Sequence, residues 1–356
     1  MASTVDCPGP VTTKLPQSPD KKPGQLTDQQ LDQYYENGFL VVTDFFRPEE
    51  LEPCKEAISE MVDELAEMLH KAGKIKDRYK DAGIFQRLTL LDKEFPGAFV
   101  LMFKQGKLHK AFRDLWSNER LLNIMEQLVG PEVSCHPVWN LRPKVPKNDA
   151  TAVPWHQDSG YFDQESYDHI IPTTWIPFLD TNANNGGMQM VKRAHRHGRV
   201  VRHTCCWENT WYIDLAEEEM VKSLGVDIER DVETVEVPYG GFLLFQNITP
   251  HRSLPNSSND VRWSIDLRWQ SPHEKWGFYD IQEGALMRHP DKPDLKVDWD
   301  KFIAVNRKKV WQDKYCKKTD ETADEFDTTV TGPWLGRWDI VHRNKHTEAF
   351  VRAMAV

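Results

Sequence analysis

The chain has 356 residues, of which 39% are hydrophobic and 28% charged, and it carries a net charge of −10. That composition suits a globular protein, and the acidic balance argues against nucleic acid or an anionic membrane surface as the main partner. No apolar run approaches the ~20 residues of a membrane span. The opening residues lack a basic-then-apolar signal pattern, and the terminal AFVRAMAV carries no peroxisomal or retention address. A cytoplasmic protein acting on a small molecule, with no nucleic acid or membrane partner, is expected.

Residues 1–25 are rich in Pro, Lys, Ser and Thr and read as a disordered leader. Thr27-Asp28-Gln29-Gln30 fits a capping box and predicts a helix from Thr27. GFLVVTDFF (38–46) then reads as a strand, and the apolar spacing of Leu51, Ala57, Ile58, Met61, Leu65 and Leu69 predicts a helix over 48–73. Residues 95–129 look largely helical.

From about 130 the texture changes to short β-rich runs: VSCHPVWNLRP, TTWIPFLD, MQMVKRA, TVEVPYGGFLLFQN and VRWSIDLRWQ. Gly, Pro and Asn punctuate them, as in Asn184-Asn185-Gly186-Gly187. This predicts an antiparallel barrel or sandwich over about 130–272, buttressed by helices over about 26–129. The aromatic segment 273–356 is expected to wrap the barrel mouth, and 26–356 reads as one domain. The six cysteines form no C-x-x-C pair, so reduced thiols are expected throughout, Cys205-Cys206 included. The thirteen tryptophans are expected mainly in the core.

His156-Gln157-Asp158 carries the chemistry. In an extended segment, side chains two residues apart share a face, so this His and Asp can bind one metal. The spacing alone is weak, because His289-Pro290-Asp291 and His346-Thr347-Glu348 repeat it. The first of these decoys lies in a proline-rich turn, where nothing holds both side chains on one face. His251, just past the strand that ends in GGFLLFQN, supplies a third ligand. Two histidines and one carboxylate leave open positions on Fe(II). VRWSIDLRW (261–269) alternates strictly, with Arg262, Ser264, Asp266 and Arg268 on the polar face. A guanidinium facing the inside of a barrel can hold the far carboxylate of a dicarboxylate co-substrate. Arg268, six residues beyond Arg262, would lie ~20 Å along the strand at ~3.3 Å per residue and is expected to be too far for direct iron chemistry.

With these residues assembled, the chain resembles the phytanoyl-CoA dioxygenase family of Fe(II)- and 2-oxoglutarate-dependent oxygenases, from about 26 to 270. The likeness is carried by LTDQQLDQYYENGFLVVTDFF, WHQDSGYF, TTWIPFLDTNANNGGMQMV, and GGFLLFQNITPHRS with Arg262 eleven residues past His251. The resemblance implies an α+β fold with a mainly β core, a double-stranded β-helix (jelly-roll, cupin-like barrel) with helices packed on one sheet. It implies that His156, Asp158 and His251 bind iron and that Arg262 holds 2-oxoglutarate. Ser253, Trp175 and Asn140 match positions that contact the co-substrate. Relatives carry Pro-Gly-Ser-His after the Asn-Gly turn, whereas this chain has VKRAHRHG, with His195 at the histidine position; His195 and His197 are a further candidate metal pair.

The resemblance further implies Fe(II) as metal, 2-oxoglutarate and O₂ as co-substrates, and succinate and CO₂ as co-products, with ascorbate helpful in assays. Hydroxylation of a C–H bond is the expected outcome, because related halogenases replace the carboxylate ligand with a small residue. Desaturation, cyclisation, a silent metal-binding barrel and a non-oxidative cupin-type metal enzyme stay open. Gln157, Tyr161 and Phe162 flank the metal motif and are expected to face the substrate.

Overall fold

The computed structural model describes residues 14–317 and 324–355, with the backbone of Val5 and Asp6. Of the expected leader, residues 1–4 and 7–13 lie outside the described residues. Val5 and Asp6 pair with Val200 and Arg199, and residues 17–23 lie along the last helix of the helical layer. There the Gln17 amide donates to Gln127 O, the Lys22 ammonium to Glu126, and the Asn123 amide to Pro23 O.

Six helices precede residue 130, with one strand between the first two: α1 (Asp28–Asn37), α2 (Pro48–Lys71), α3 (Arg87–Glu94), α4 (Ala98–Lys104), α5 (Lys110–Trp116) and α6 (Glu119–Val129). The α1 capping box is formed as expected: Thr27 Oγ1 accepts from Gln30 N, and the Gln30 side chain accepts from Thr27 N. The expected helical stretch 95–129 is broken into α4, α5 and α6, because Gly106 and Asn118 interrupt it and Asn118 caps α6.

The barrel is built from β1 (Phe39–Val42), β2 (Val133–Cys135), β3 (Asn140–Lys144), β4 (Thr173–Pro177), β5 (Met188–Val191), β6 (Val232–Val235), β7 (Phe242–Phe245), β8 (His251–Ser253), β9 (Arg262–Gln270) and β10 (Ala285–Arg288). The larger sheet runs β10-β2-β9-β4-β7-β1, with β3 also paired to β9. The smaller runs β6-β5-β8. All these pairings are antiparallel. Two facing sheets in this arrangement are the double-stranded β-helix, and the helices cover the outer face of the larger one.

Strand alternation divides the larger sheet cleanly. Trp263, Ile265, Leu267 and Trp269 of β9 join Ile176 and Leu244 on the outer face, against α2 residues such as Leu51, Ile58 and Leu65. Trp263 Nε1 donates to Ile84 O at 3.0 Å, and Trp116 Nε1 donates to Arg268 O at 3.2 Å, so the buried indoles are anchored as well as packed. The inner face carries the polar residues of β9 together with Phe39, Trp175, Leu243 and Phe245, which cluster with Met188 and Met190 of the smaller sheet as an apolar wall. Register places Arg262 opposite Lys144, Ser264 opposite Arg142, Asp266 opposite Asn140 and Trp175, and Arg268 opposite Thr173. The alternation therefore delivers a charged row to the barrel interior.

The C-terminal segment is tied to the turn at Gly160 and to the segment 208–211. Trp338 Nε1 donates to Gly160 O at 2.8 Å, Trp334 Nε1 to Trp211 O at 3.2 Å, and the Asn344 amide to Glu208 O and Thr210 O. Trp263, Trp269 and Trp338 are buried, as expected for core residues. One cysteine expectation is corrected: Cys205 and Cys206 are joined by a disulfide, while Cys54, Cys135 and Cys316 are free. No helix among the described residues is long and apolar enough to cross a membrane.

Candidate metal centre and co-substrate site

The HQD run is not a strand. His156 forms a single antiparallel bridge with His251, and the chain turns at once into a 3₁₀ helix over Asp158–Tyr161. His251 is the first residue of β8 rather than a residue of a loop. The bridge brings the two imidazoles to 4.1 Å between centroids, tilted at 54°. The turn then swings Asp158 towards them, so that Asp158 Oδ1 lies 3.6 Å from His156 Nε2 and 3.8 Å from His251 Nε2.

Each imidazole is oriented by its other nitrogen. His156 Nδ1 lies 2.8 Å from Pro154 O and His251 Nδ1 lies 2.9 Å from Thr249 O, which places the proton on Nδ1 and leaves both Nε2 lone pairs for a metal. Burial, then the neighbouring His156, push His251 down to about 3. The ring is therefore neutral at any ordinary pH, as a ligand must be. Burial opposes ionisation of Asp158, but Arg268 and the two histidines outweigh it and hold the carboxyl well below its usual value.

Arg268 corrects the sequence-based expectation. It is buried, and both Nε (3.0 Å) and Nη2 (2.8 Å) donate to Asp158 Oδ2. Thr173 Oγ1 adds a third bond to the same oxygen at 3.1 Å. Backbone rise from Arg262 does not set this distance, because the candidate metal ligands gather at the Arg268 end of β9 and the arginine side chain reaches them. With Oδ2 saturated, Oδ1 is the oxygen left facing the imidazoles. Two imidazole nitrogens and one carboxylate oxygen converge within 4.8 Å of one another, the donor set and facial arrangement that suit Fe(II).

Farther along β9, Arg262 is 1% exposed and its guanidinium lies over the Trp175 ring at 5.0 Å. Arg262 Nη1 donates to Ser264 Oγ at 2.5 Å, and Arg262 Nε has no partner. Burial drives this guanidinium down to about 9. A buried cation with an idle donor fits an incoming carboxylate. Ser253 Oγ accepts from Val153 N at 3.0 Å, which braces β8 and still leaves its hydroxyl proton free to donate. Asn140 stands on β3 across from Asp266.

The three flanking residues have distinct settings. The Gln157 amide donates to Arg199 O and Ile248 O and accepts from Val201 N, so it spends its hydrogen bonds on backbone. The Phe162 ring packs on His136 at 4.8 Å. The Tyr161 ring stands edge-on to His156 at 5.4 Å and is the one of the three in contact with a candidate ligand.

The decoys are placed elsewhere. His195 is buried with Nε2 at 2.9 Å from Tyr35 O, while His197 is exposed, so the candidate pair is not assembled. His289 lies 3.5 Å from Glu132, and His346 Nδ1 accepts from Val330 N. Sequence reading missed Arg268, Thr173 and the Arg142–Asp266 ion pair at 2.5 Å. The signal for the last was available, since Arg142 and Asp266 fall on alternating polar positions of adjacent runs.

A double-stranded β-helix holding a facial pair of histidines and one carboxylate is the architecture of the non-haem iron oxygenases. Within it, the chain belongs to the phytanoyl-CoA dioxygenase (PhyH) family, whose model matches residues 34–264. It is 30% identical over 178 residues to a 1-deoxypentalenic acid 11-beta-hydroxylase from Streptomyces arenae, covering 48% of this chain and 60% of that protein. It is 25% identical over 175 residues to the enzyme of the same name from Streptomyces exfoliatus, covering 47% and 59%. The chain thus spans about 60% of the length of these curated relatives.

Among solved structures it is similar to the non-heme monooxygenase ThoJ in its apo form, at 17% identity and a TM-score of 0.52, with 78% of this chain and 96% of that one covered. It is also similar to EctD from S. alaskensis with 2-oxoglutarate and 5-hydroxyectoine, at 15% identity and a TM-score of 0.52, with 77% and 86% covered. Both likenesses are of fold.

Proposed function

We propose that this protein is an Fe(II)/2-oxoglutarate-dependent dioxygenase that hydroxylates a C–H bond of a small organic metabolite, converting 2-oxoglutarate to succinate and CO₂. The observation that carries the reading is the pairing, inside one barrel, of the His156–Asp158–His251 donor set with a buried Arg262 whose Nε is idle. A catalytically silent barrel has no need for that cation, and neither has a non-oxidative cupin-type enzyme.

In this reading His156 Nε2, Asp158 Oδ1 and His251 Nε2 hold the metal, which when bound supplies the site for O₂ activation coupled to decarboxylation of the co-substrate. Arg268 and Thr173 keep Asp158 on one oxygen, and the carbonyls of Pro154 and Thr249 keep the imidazoles aimed. Arg262, steadied by Trp175 and Ser264, orients the dicarboxylate, and Ser253 and Asn140 line its route. Tyr161 meets the substrate, Phe162 backs the turn, and Gln157 acts by locking the loop rather than by touching the substrate. The apolar wall of Phe245, Met190 and Leu243 excludes water. The carboxylate at 158 and the named hydroxylase relatives support hydroxylation over halogenation. We further read 26–356 as one oxygenase domain whose C-terminal segment covers the barrel mouth through Trp334 and Trp338.

The test is succinate production from 2-oxoglutarate with Fe(II) and ascorbate, across a set of candidate small molecules. Asp158→Ala should abolish it. Arg262→Ala should raise the KM for 2-oxoglutarate by about tenfold to a hundredfold, as expected for loss of a charge-assisted pair. Retained turnover in Asp158→Ala would refute the metal assignment, and an unchanged KM in Arg262→Ala would refute the role of the arginine.

A further inference from the structure

Lys144 stands opposite Arg262 in the β3–β9 register and is 2% exposed. Its Nζ donates to Thr151 O at 2.8 Å. Its shaft runs over Gly186, where an added Cβ would come within 2.2 Å of Lys144 Cδ and where φ is +82°. That glycine leaves the lane in which the lysine lies. Lys144, Arg142 and Arg262 line one small cavity, together with Thr151, Trp211 and Tyr212.

The charges in this cavity do not balance. The carboxylate in contact with the cluster, Asp266, is taken by Arg142 at 2.5 Å. Among the described residues neither Lys144 nor Arg262 has a carboxylate in ion-pair range. Burial, then repulsion from Arg262 and Arg142, press the Lys144 ammonium well below its usual value. Two buried basic groups with no carboxylate beside them are costly to hold charged, and an anion with two oxygens would favour the charged form of both. Arg262 offers its idle Nε, and Lys144 offers the two ammonium hydrogens not spent on Thr151.

We infer that Lys144 is a second cation for the distal carboxylate of 2-oxoglutarate, gripping one oxygen from β3 while Arg262 holds the other from β9. This rests on the oxygenase reading above and adds a specificity-determining residue to it. A single arginine would orient a carboxylate; two cations from adjacent strands make the site discriminate strongly for dicarboxylates over 2-oxo acids that end in a methyl group.

The experiment titrates the Ni(II)-loaded full chain with 2-oxoglutarate and with 2-oxopentanoate, which carries a methyl in place of the distal carboxylate. The variants are wild type, Lys144→Met, Lys144→Gln and Lys144→Arg. Lys144→Met and Lys144→Gln should weaken 2-oxoglutarate binding by about tenfold to a hundredfold and leave 2-oxopentanoate within about twofold, with Lys144→Arg restoring most of the preference. A purely structural lysine would weaken both ligands alike, and that result overturns the inference, as does an unchanged preference in both variants. Wild-type protein that binds neither ligand would instead bring down the oxygenase reading, and the role of Lys144 with it.

Discussion

The two oxygens of Asp158 have different neighbours, and that asymmetry organises the candidate metal centre. Oδ1 faces two imidazole nitrogens, while Oδ2 takes three hydrogen bonds from Arg268 and Thr173. Arg268→Met would leave the buried oxygen with Thr173 alone, free to rotate. Metal affinity should fall about tenfold to a hundredfold, as is usual when an outer-shell partner of a ligand is lost. Competition against a chromophoric chelator measures it, and unchanged affinity would refute the positioning role. The three metal candidates were legible from residue type, spacing and family resemblance. Arg268 was not, because its importance depends on which end of β9 faces the metal, and sequence alternation gives the face of a strand without giving its end. Lys144 was hidden for a related reason: either of the two lysines in PKVPK reads as a solvated charge until its strand partner is known.

At the level of elements, β9 was the most readable part of the chain. Its strict alternation announced a two-faced strand, and both faces behave as chemistry requires, indoles towards the helices and charges inward. α1 was equally plain from its capping box. The HQD segment was harder. A bridge followed by a 3₁₀ turn gives the same convergence as a strand, and the local pattern does not separate them. Gly38 shows how an element end serves the site. It closes α1 at φ +86°, and an added Cβ would lie 2.4 Å from His195 Nδ1 and 2.6 Å from Thr249 Oγ1. Thr249 is also the residue whose carbonyl aims His251. Gly38→Ala should therefore cost about 1–3 kcal/mol in urea unfolding, from the left-handed backbone and the two clashes together. It should also weaken metal binding, and full stability would contradict the account.

The molecule as a whole is held around buried, neutral histidines. Burial pushes His136 and His203 down to about 3 and His195 to about 4. In the unfolded chain these rings titrate near 6.5, so between about pH 6.5 and 4 the unfolded state binds more protons. Stability should then fall as pH drops through that window, by on the order of 1–2 kcal/mol for each fully buried ring at pH 5. Urea midpoints measured at pH 7.5 and 5 with metal removed check this, and equal midpoints would contradict it. The barrel, its helical cover and its family were legible at this scale because hydrophobic periodicity and the family motifs agree. The packing of residues 14–25 and 334–338 was not, because neither segment carries a periodic signal and both are held by contacts to residues distant in the sequence.

The most direct test of the central claim is a calorimetric titration of 2-oxoglutarate into the wild-type chain, run anaerobically with Fe(II) and again after chelation. The account predicts saturable binding that depends on the metal and is lost in Asp158→Ala. Absence of binding to the metal-loaded protein, or binding of equal strength without metal, would contradict it.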